Sequence, residues 1–225
     1  MEEYKLRTKP ITVARKVPLE QQIRDTFQTP SYAIDLLIPF IPGGVKVIWE
    51  CACGNGKIVK SLENFGFSCY TTDIISNDFV DRNFNFITEH LEFDELDAID
   101  CIITNPPFSI KDLFIEKAFE YNIPFAFLIN ADYSGKTIDW IKRGCEKIVP
   151  TSRIAYITPN IVKRVNDGED LVDMGGYDRI EEIPSVLLYK YSSAQFHSMW
   201  LTYKFNLGKT ETFVDLSVKE RKSNI

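Results

Sequence analysis

Asn105-Pro106-Pro107-Phe108 follows a short apolar run, residues 100–104, that reads as a buried strand. Two consecutive prolines have no backbone N–H and fix φ, so the chain must leave the strand in a stiff, extended turn with its carbonyls facing outward. Asn105 adds a side-chain amide and Phe108 a ring. Two oxygen acceptors beside an aromatic plate suit a flat base with an exocyclic amino group, because the oxygens can hold its two hydrogens while the ring stacks on its face. The bland alternative is a turn that simply ends a strand.

A second stretch adds weight. Residues 45–49 read as another apolar strand, which runs through Glu50-Cys51-Ala52-Cys53-Gly54-Asn55-Gly56 into a helical pattern at 57–64. A strand, a glycine turn and a helix let a backbone approach a ligand closely, since Gly54 and Gly56 lack side chains and the helix N-terminus presents N–H groups. A further strand over 68–72 ends at Asp73. An acidic residue about 20 positions past such a loop can accept bonds from ribose hydroxyls. Capping a turn at Ser76-Asn77 is the alternative role for Asp73.

Taken with Phe27-Gln28-Thr29-Pro30 ahead of them, these stretches resemble, in this order, the amino-directed class I methyltransferases that use S-adenosylmethionine. Within that family the chain is most similar to the small phage-type DNA adenine-N6 methyltransferases, over residues 24 to 130. The resemblance implies an α/β protein with a single-domain Rossmann-like class I methyltransferase fold, its mostly parallel seven-stranded sheet covered by helices on both faces. It implies methyl transfer from S-adenosylmethionine to the exocyclic nitrogen of adenine in DNA, with S-adenosylhomocysteine as product. Asn105, Pro106, Pro107 and Phe108 would then meet the target, with Asn105 also beside the cofactor. Phe27, Thr29 and Pro30 would lie over the cofactor's methionine end, and Glu50 would hold its ammonium. Ala52, Gly54 and Gly56 would line the loop, and Asp73 and Ile74 the ribose and its surroundings. The family usually places an Asp-Phe near the cofactor's adenine; here Glu89 takes that place, with Asp94 competing.

Rival readings remain at this stage. Amino methylation of adenine or guanine in RNA would use the same turn, although RNA enzymes commonly carry an added binding module. Protein-glutamine methylation is disfavoured by Phe108, since those relatives usually carry Tyr there. A non-catalytic methyltransferase-like binding protein is the reading from another class.

The elements that must position these residues fit one domain. At 225 residues and 44% hydrophobic, the chain suits a single substantial core rather than disorder. A net charge of −6 argues against an extended basic DNA-wrapping surface but leaves room for a local basic patch. The five cysteines read as reduced thiols. Cys51 and Cys53 are too close for the usual zinc spacing, and His90 and His197 stand far apart, so no structural metal is expected. No run approaches the roughly 18 apolar residues of a membrane span, and the charged start is unlike a signal peptide, so a cytoplasmic protein is expected.

A net positive arm occupies residues 1–24, the methyltransferase domain 25–210 and a tail 211–225. Helices are predicted over 31–40, 57–64, 111–121 and 137–143. Strands are predicted over 45–49, 68–72, 85–88, 100–104, 125–129, 147–150, 153–158, 185–189 and 199–204. The polar, glycine-containing stretch 159–183 is expected to form a mobile flap beside the site, where Lys163 and Arg164 could meet phosphates of a nucleic acid.

Overall fold

The computed structural model describes residues 27–156 and 196–216. The basic arm, the insert with Lys163 and Arg164, the strand expected at 185–189 and the chain after 216 lie outside the described residues.

Apolar runs become strands whose alternate side chains fill two separate cores. Ile48, Cys101, Ile103, Ala126 and Leu128 face one core, together with Ile34, Leu37, Ile58 and Leu62. Trp49, Ile102, Phe125, Phe127 and Ile129 face the other, together with Phe86, Phe114, Ile115 and Trp140. Side chains of period two buried on both faces are the mark of a central parallel sheet covered on each side.

The strands are β1 (Val47–Glu50), β2 (Ser68–Asp73), β3 (Arg82–Asn83), β4 (Cys101–Thr104), β5 (Phe125–Asn130), β6 (Cys145–Pro150), β7 (Ser198–Tyr203) and β8 (Glu211–Val214). They form one sheet in the order β3-β2-β1-β4-β5-β7-β6-β8. The pairs linking β1 to β5 are parallel, β7 runs antiparallel between β5 and β6, and β8 lies parallel to β6. The helices are α1 (Tyr32–Asp35), α2 (Lys57–Asn64), α3 (Phe93–Asp97), α4 (Lys111–Tyr121) and α5 (Gly135–Lys142). Residues of α1 and α2 join the first core, and those of α4 and α5 the second. The chain therefore has the expected Rossmann-like α/β fold. Among the described residues the sheet has eight strands rather than the expected seven.

Local chemistry explains where the expected elements shift. Residues 85–88 are a turn instead of a strand, because Asn85 Oδ1 accepts from the N–H groups of Ile87 and Thr88 at 3.1 and 3.3 Å. The third strand comes earlier, at β3. The helix expected over 31–40 is α1 followed by a 3-10 turn, Ile38–Phe40, since Pro39 has no N–H with which to continue an α-helix. No strand forms over 153–156; there Tyr156 turns inward and donates to Ser198 Oγ at 2.9 Å. The boundary expected at residue 210 falls before β8, so the sheet continues into what was read as tail.

All five cysteines carry free thiols, four of them buried and Cys69 half-buried. Among the described residues no helix is long and apolar enough to cross a membrane, and no group of three or more His, Cys, Asp or Glu residues is arranged to hold a metal ion.

Candidate active site

The strand order reverses between β1 and β4, and in an open α/β sheet such a switch point opens a crevice beyond the carboxyl ends of the strands. Three of the expected site segments leave from those ends: Glu50 to Gly56 after β1, Asp73-Ile74 after β2, and Asn105 to Phe108 after β4. The topology thus brings together residues that lie far apart in the chain.

Glu50 is fully buried. Its Oε1 accepts from Thr104 Oγ1 at 2.5 Å and from the Ala52 N–H at 3.1 Å. Its Oε2 is buried with no hydrogen-bond partner among the described residues. Burial pushes the Glu50 carboxyl up to about 8; the Thr104 and Ala52 bonds pull the other way, and the charge of Asp73 adds to the rise. Asn105 Oδ1, one residue beyond Thr104, is likewise buried without a partner. Buried polar atoms are nearly always satisfied, so two acceptors without a partner among the described residues, at the ends of adjacent strands, make this a candidate site for donors from outside the chain.

Asp73 departs in part from expectation. Its Oδ2 accepts the Gly54 N–H at 2.9 Å and its Oδ1 the Ile75 N–H at 2.9 Å. It therefore caps its own turn, at Ile75 rather than at Ser76-Asn77, and also fastens the glycine loop. A carboxylate has about four acceptor positions, so two remain for a ligand. The Gly54 N–H is thus occupied. The Gly54 carbonyl is held too, by Asn77 Nδ2 at 2.8 Å.

The two glycines have different reasons. Gly54 adopts φ +53 with open space where a Cβ would stand, so the left-handed backbone explains it together with room for a ligand. Gly56, at φ +72, would place a Cβ 2.7 Å from the Phe79 ring. The closeness at Gly56 thus serves the loop that follows β2. Beside that loop, Ile74 and Ile75 are two-thirds exposed and offer an apolar ledge.

Phe27, Thr29 and Pro30 precede α1. Thr29 is buried, and the Phe27 ring stacks on Phe196 at 6.3 Å and tilts against Tyr156 at 6.0 Å. Phe108 meets the same two rings edge-on, at 5.1 Å from Phe196 and 6.1 Å from Tyr156. The Phe-x-Thr-Pro stretch and the Asn-Pro-Pro-Phe turn are therefore walls of one aromatic cluster. Pro106 is buried, and the Pro107 carbonyl accepts from Ile110 N–H at 3.1 Å, closing the turn toward α4.

Glu89 is exposed and its Oε1 accepts from the Asn85 N–H at 2.7 Å, so it closes the turn after β3. Asp94 lies in the first turn of α3. Thr104, Asn77, Phe79, Tyr156 and Phe196 join these contacts without having been expected from the sequence. Only Thr104 carried a signal, being the residue before Asn105 at the end of a buried strand.

The strand order and the helices packed on both faces define a doubly wound α/β protein whose sheet order reverses between β1 and β4. No protein-family model matches the chain and no curated protein matches it. Among solved structures it is similar to one described as a SAM dependent methyltransferase from Archaeoglobus fulgidus, at 9% identity and a TM-score of 0.39, covering 76% of this chain and 92% of that one.

Proposed function

We propose that the protein is an S-adenosylmethionine-dependent methyltransferase acting on the exocyclic amino nitrogen of adenine in DNA. The observation that carries this reading is the pair of buried, unpartnered acceptors, Glu50 Oε2 and Asn105 Oδ1, at the ends of β1 and β4. The first suits a ligand's ammonium group and the second an amino hydrogen. The residues present fit the cofactor: a buried carboxylate for its ammonium, a left-handed glycine loop, Asp73 with acceptor positions to spare, and Ile74 as an apolar ledge. Glu89 or Asp94 would meet its adenine end.

The cofactor supplies an activated methyl group. The protein's task is to align an amine with it, because in-line displacement depends on orientation more than on a strong nucleophile. Asn105 Oδ1 and the Pro106 carbonyl accept the two amino hydrogens, which lets the nitrogen lone pair leave conjugation with the ring and offsets the positive charge that develops there. Pro107 stiffens the turn that holds both acceptors, and Phe108 with its aromatic neighbours gives the flipped base a surface in place of its lost stacking. Phe27, Thr29 and Pro30 cover the methionine end. Lys163 and Arg164, on the 159–183 insert, meet phosphates of the DNA.

Incubation with S-adenosylmethionine labelled in its methyl group, offered separately with DNA, RNA and protein, tests the reading. Label appearing as N6-methyladenine in DNA is expected. Label confined to RNA or protein would move the substrate, and binding without transfer to any of them would remove the enzyme reading.

A further inference from the structure

Thr104 is the last residue of β4 and is fully buried; Glu50 is the last residue of the neighbouring parallel strand β1. Both donors to Glu50, the Thr104 hydroxyl and the Ala52 N–H, fall on Oε1. The other oxygen, Oε2, is left buried and unpartnered, as is Asn105 Oδ1 on the next residue of β4. One hydroxyl therefore joins the two orphaned acceptors through a single side chain and a single peptide unit.

We propose that Thr104 is a positioning residue, its hydroxyl fixing Glu50 by Oε1 so that Oε2 faces the donor ligand's ammonium, and so coupling that ligand's site to the Asn105 turn. The inference rests on the reading of Glu50 as the ammonium-binding carboxylate. A carboxylate bound at neither oxygen could present either one at several rotamers, and ordering it would be charged against ligand binding. Two donors on one oxygen remove that freedom in advance.

The titratable groups around Glu50 are Cys51 beside it, Cys53 in the glycine loop, Cys69 on β2 and Asp73 at the end of β2; burial pushes all three thiols up, and the Asp73 charge opposes ionisation of Glu50. Burial places the Glu50 carboxyl at about 8, with the Thr104 bond acting downward. At neutral pH the ligand-free carboxyl is protonated, and a cation arriving at Oε2 displaces that proton to solvent. Affinity for an ammonium ligand then rises about tenfold per pH unit below that value and levels off above it. Without the Thr104 hydroxyl the inflection moves upward and affinity at neutral pH falls.

The experiment is calorimetric titration with S-adenosylhomocysteine from pH 6 to 9, in buffers of different ionisation heat, on the wild-type chain, Thr104→Val and Thr104→Ser. Expected are release of close to one proton at pH 7 by the wild type, affinity lowered about tenfold or more with a raised inflection in Thr104→Val, and return of both toward wild type in Thr104→Ser. Thr104→Val with wild-type affinity and inflection would overturn the role of Thr104 while leaving the cofactor reading in place. Thr104→Ser behaving as Thr104→Val would do the same. No binding by any of the three proteins would overturn the cofactor reading and the inference with it. Urea unfolding establishes which variants fold; should Thr104→Val not fold, absence of proton release by the wild type overturns the inference.

Discussion

Asp73 Oδ2 accepts the backbone N–H of Gly54 at 2.9 Å, so the end of β2 holds the loop that leaves β1. The carboxylate is thereby aimed by the loop and shapes it in turn. Asp73→Asn, which keeps the size but replaces one acceptor oxygen by a donor, should weaken S-adenosylhomocysteine binding at least tenfold and lower stability by about 1 kcal/mol. Calorimetry and urea unfolding of the same preparation check the two effects.

Asn105→Ala should leave binding of S-adenosylhomocysteine nearly unchanged and lower methyl transfer by about a hundredfold or more, the scale of losing one group that stabilises transition-state charge. Near-normal turnover would exclude the proposed role of Oδ1. Its burial without a partner also means that the ligand-free protein should not lose stability when Oδ1 is removed.

Glu50 makes stability depend on pH in an uncommon direction for a carboxylate. Its folded-state pKa, about 8, lies above the ordinary 4.5, so the folded chain retains a proton that the unfolded chain releases. The associated stability is fully present below 4.5 and is lost as pH rises toward 8, at about 1 kcal/mol per pH unit within that window. Urea unfolding across pH 5 to 9 should show this fall, and Glu50→Gln should flatten it while raising stability at pH 8. The same substitution should abolish binding of an ammonium ligand.

Gly56→Ala combines a left-handed backbone with a Cβ placed against the Phe79 ring. The backbone term alone costs about 1–2 kcal/mol. Shortening the ring in Phe79→Ala should relieve the steric part, so the double variant should be more stable than the sum of the two single effects allows. Strict additivity in a double-mutant cycle would show that the ring moves aside freely.

Lys163→Ala with Arg164→Ala should weaken DNA binding and reduce its salt dependence by about one unit of slope per lost phosphate contact. A binding isotherm series in rising salt measures both. Unchanged affinity and slope would remove the insert from the DNA interface.

The strands and helices legible in the sequence were those whose apolar pattern carries the whole signal. The helix at 111–121 is legible at its full length because apolar residues at 113, 114, 115, 118 and 119 recur at helical spacing; in the fold it stops at Asn122, whose φ of 54 lies in the left-handed region. Phe86 and Ile87 in 85–88 look like a strand's apolar run, but the Asn85 side chain folds that stretch into a turn and the third strand lies elsewhere. The edge strand β8 escapes notice because it is only four residues long and its Phe213 is exposed. Within the site, the motifs revealed which residues gather but not how they bond. Tyr156 and Phe196 stand beside Phe108 only through the sheet, and no local pattern announces that.

The antiparallel strand β7 sits between β5 and β6 although it is made after both. A chain emerging from the ribosome cannot pair β6 with the rest of the sheet until Ser198 to Tyr203 have been synthesised. Until then the edge of β5, whose residues Phe125 to Ile129 are all apolar, lacks its neighbour and is open to pairing with other chains. Expression of fragments ending before β7 should therefore give aggregates rather than smaller folded domains, and the sheet should close only after Tyr203 has been made.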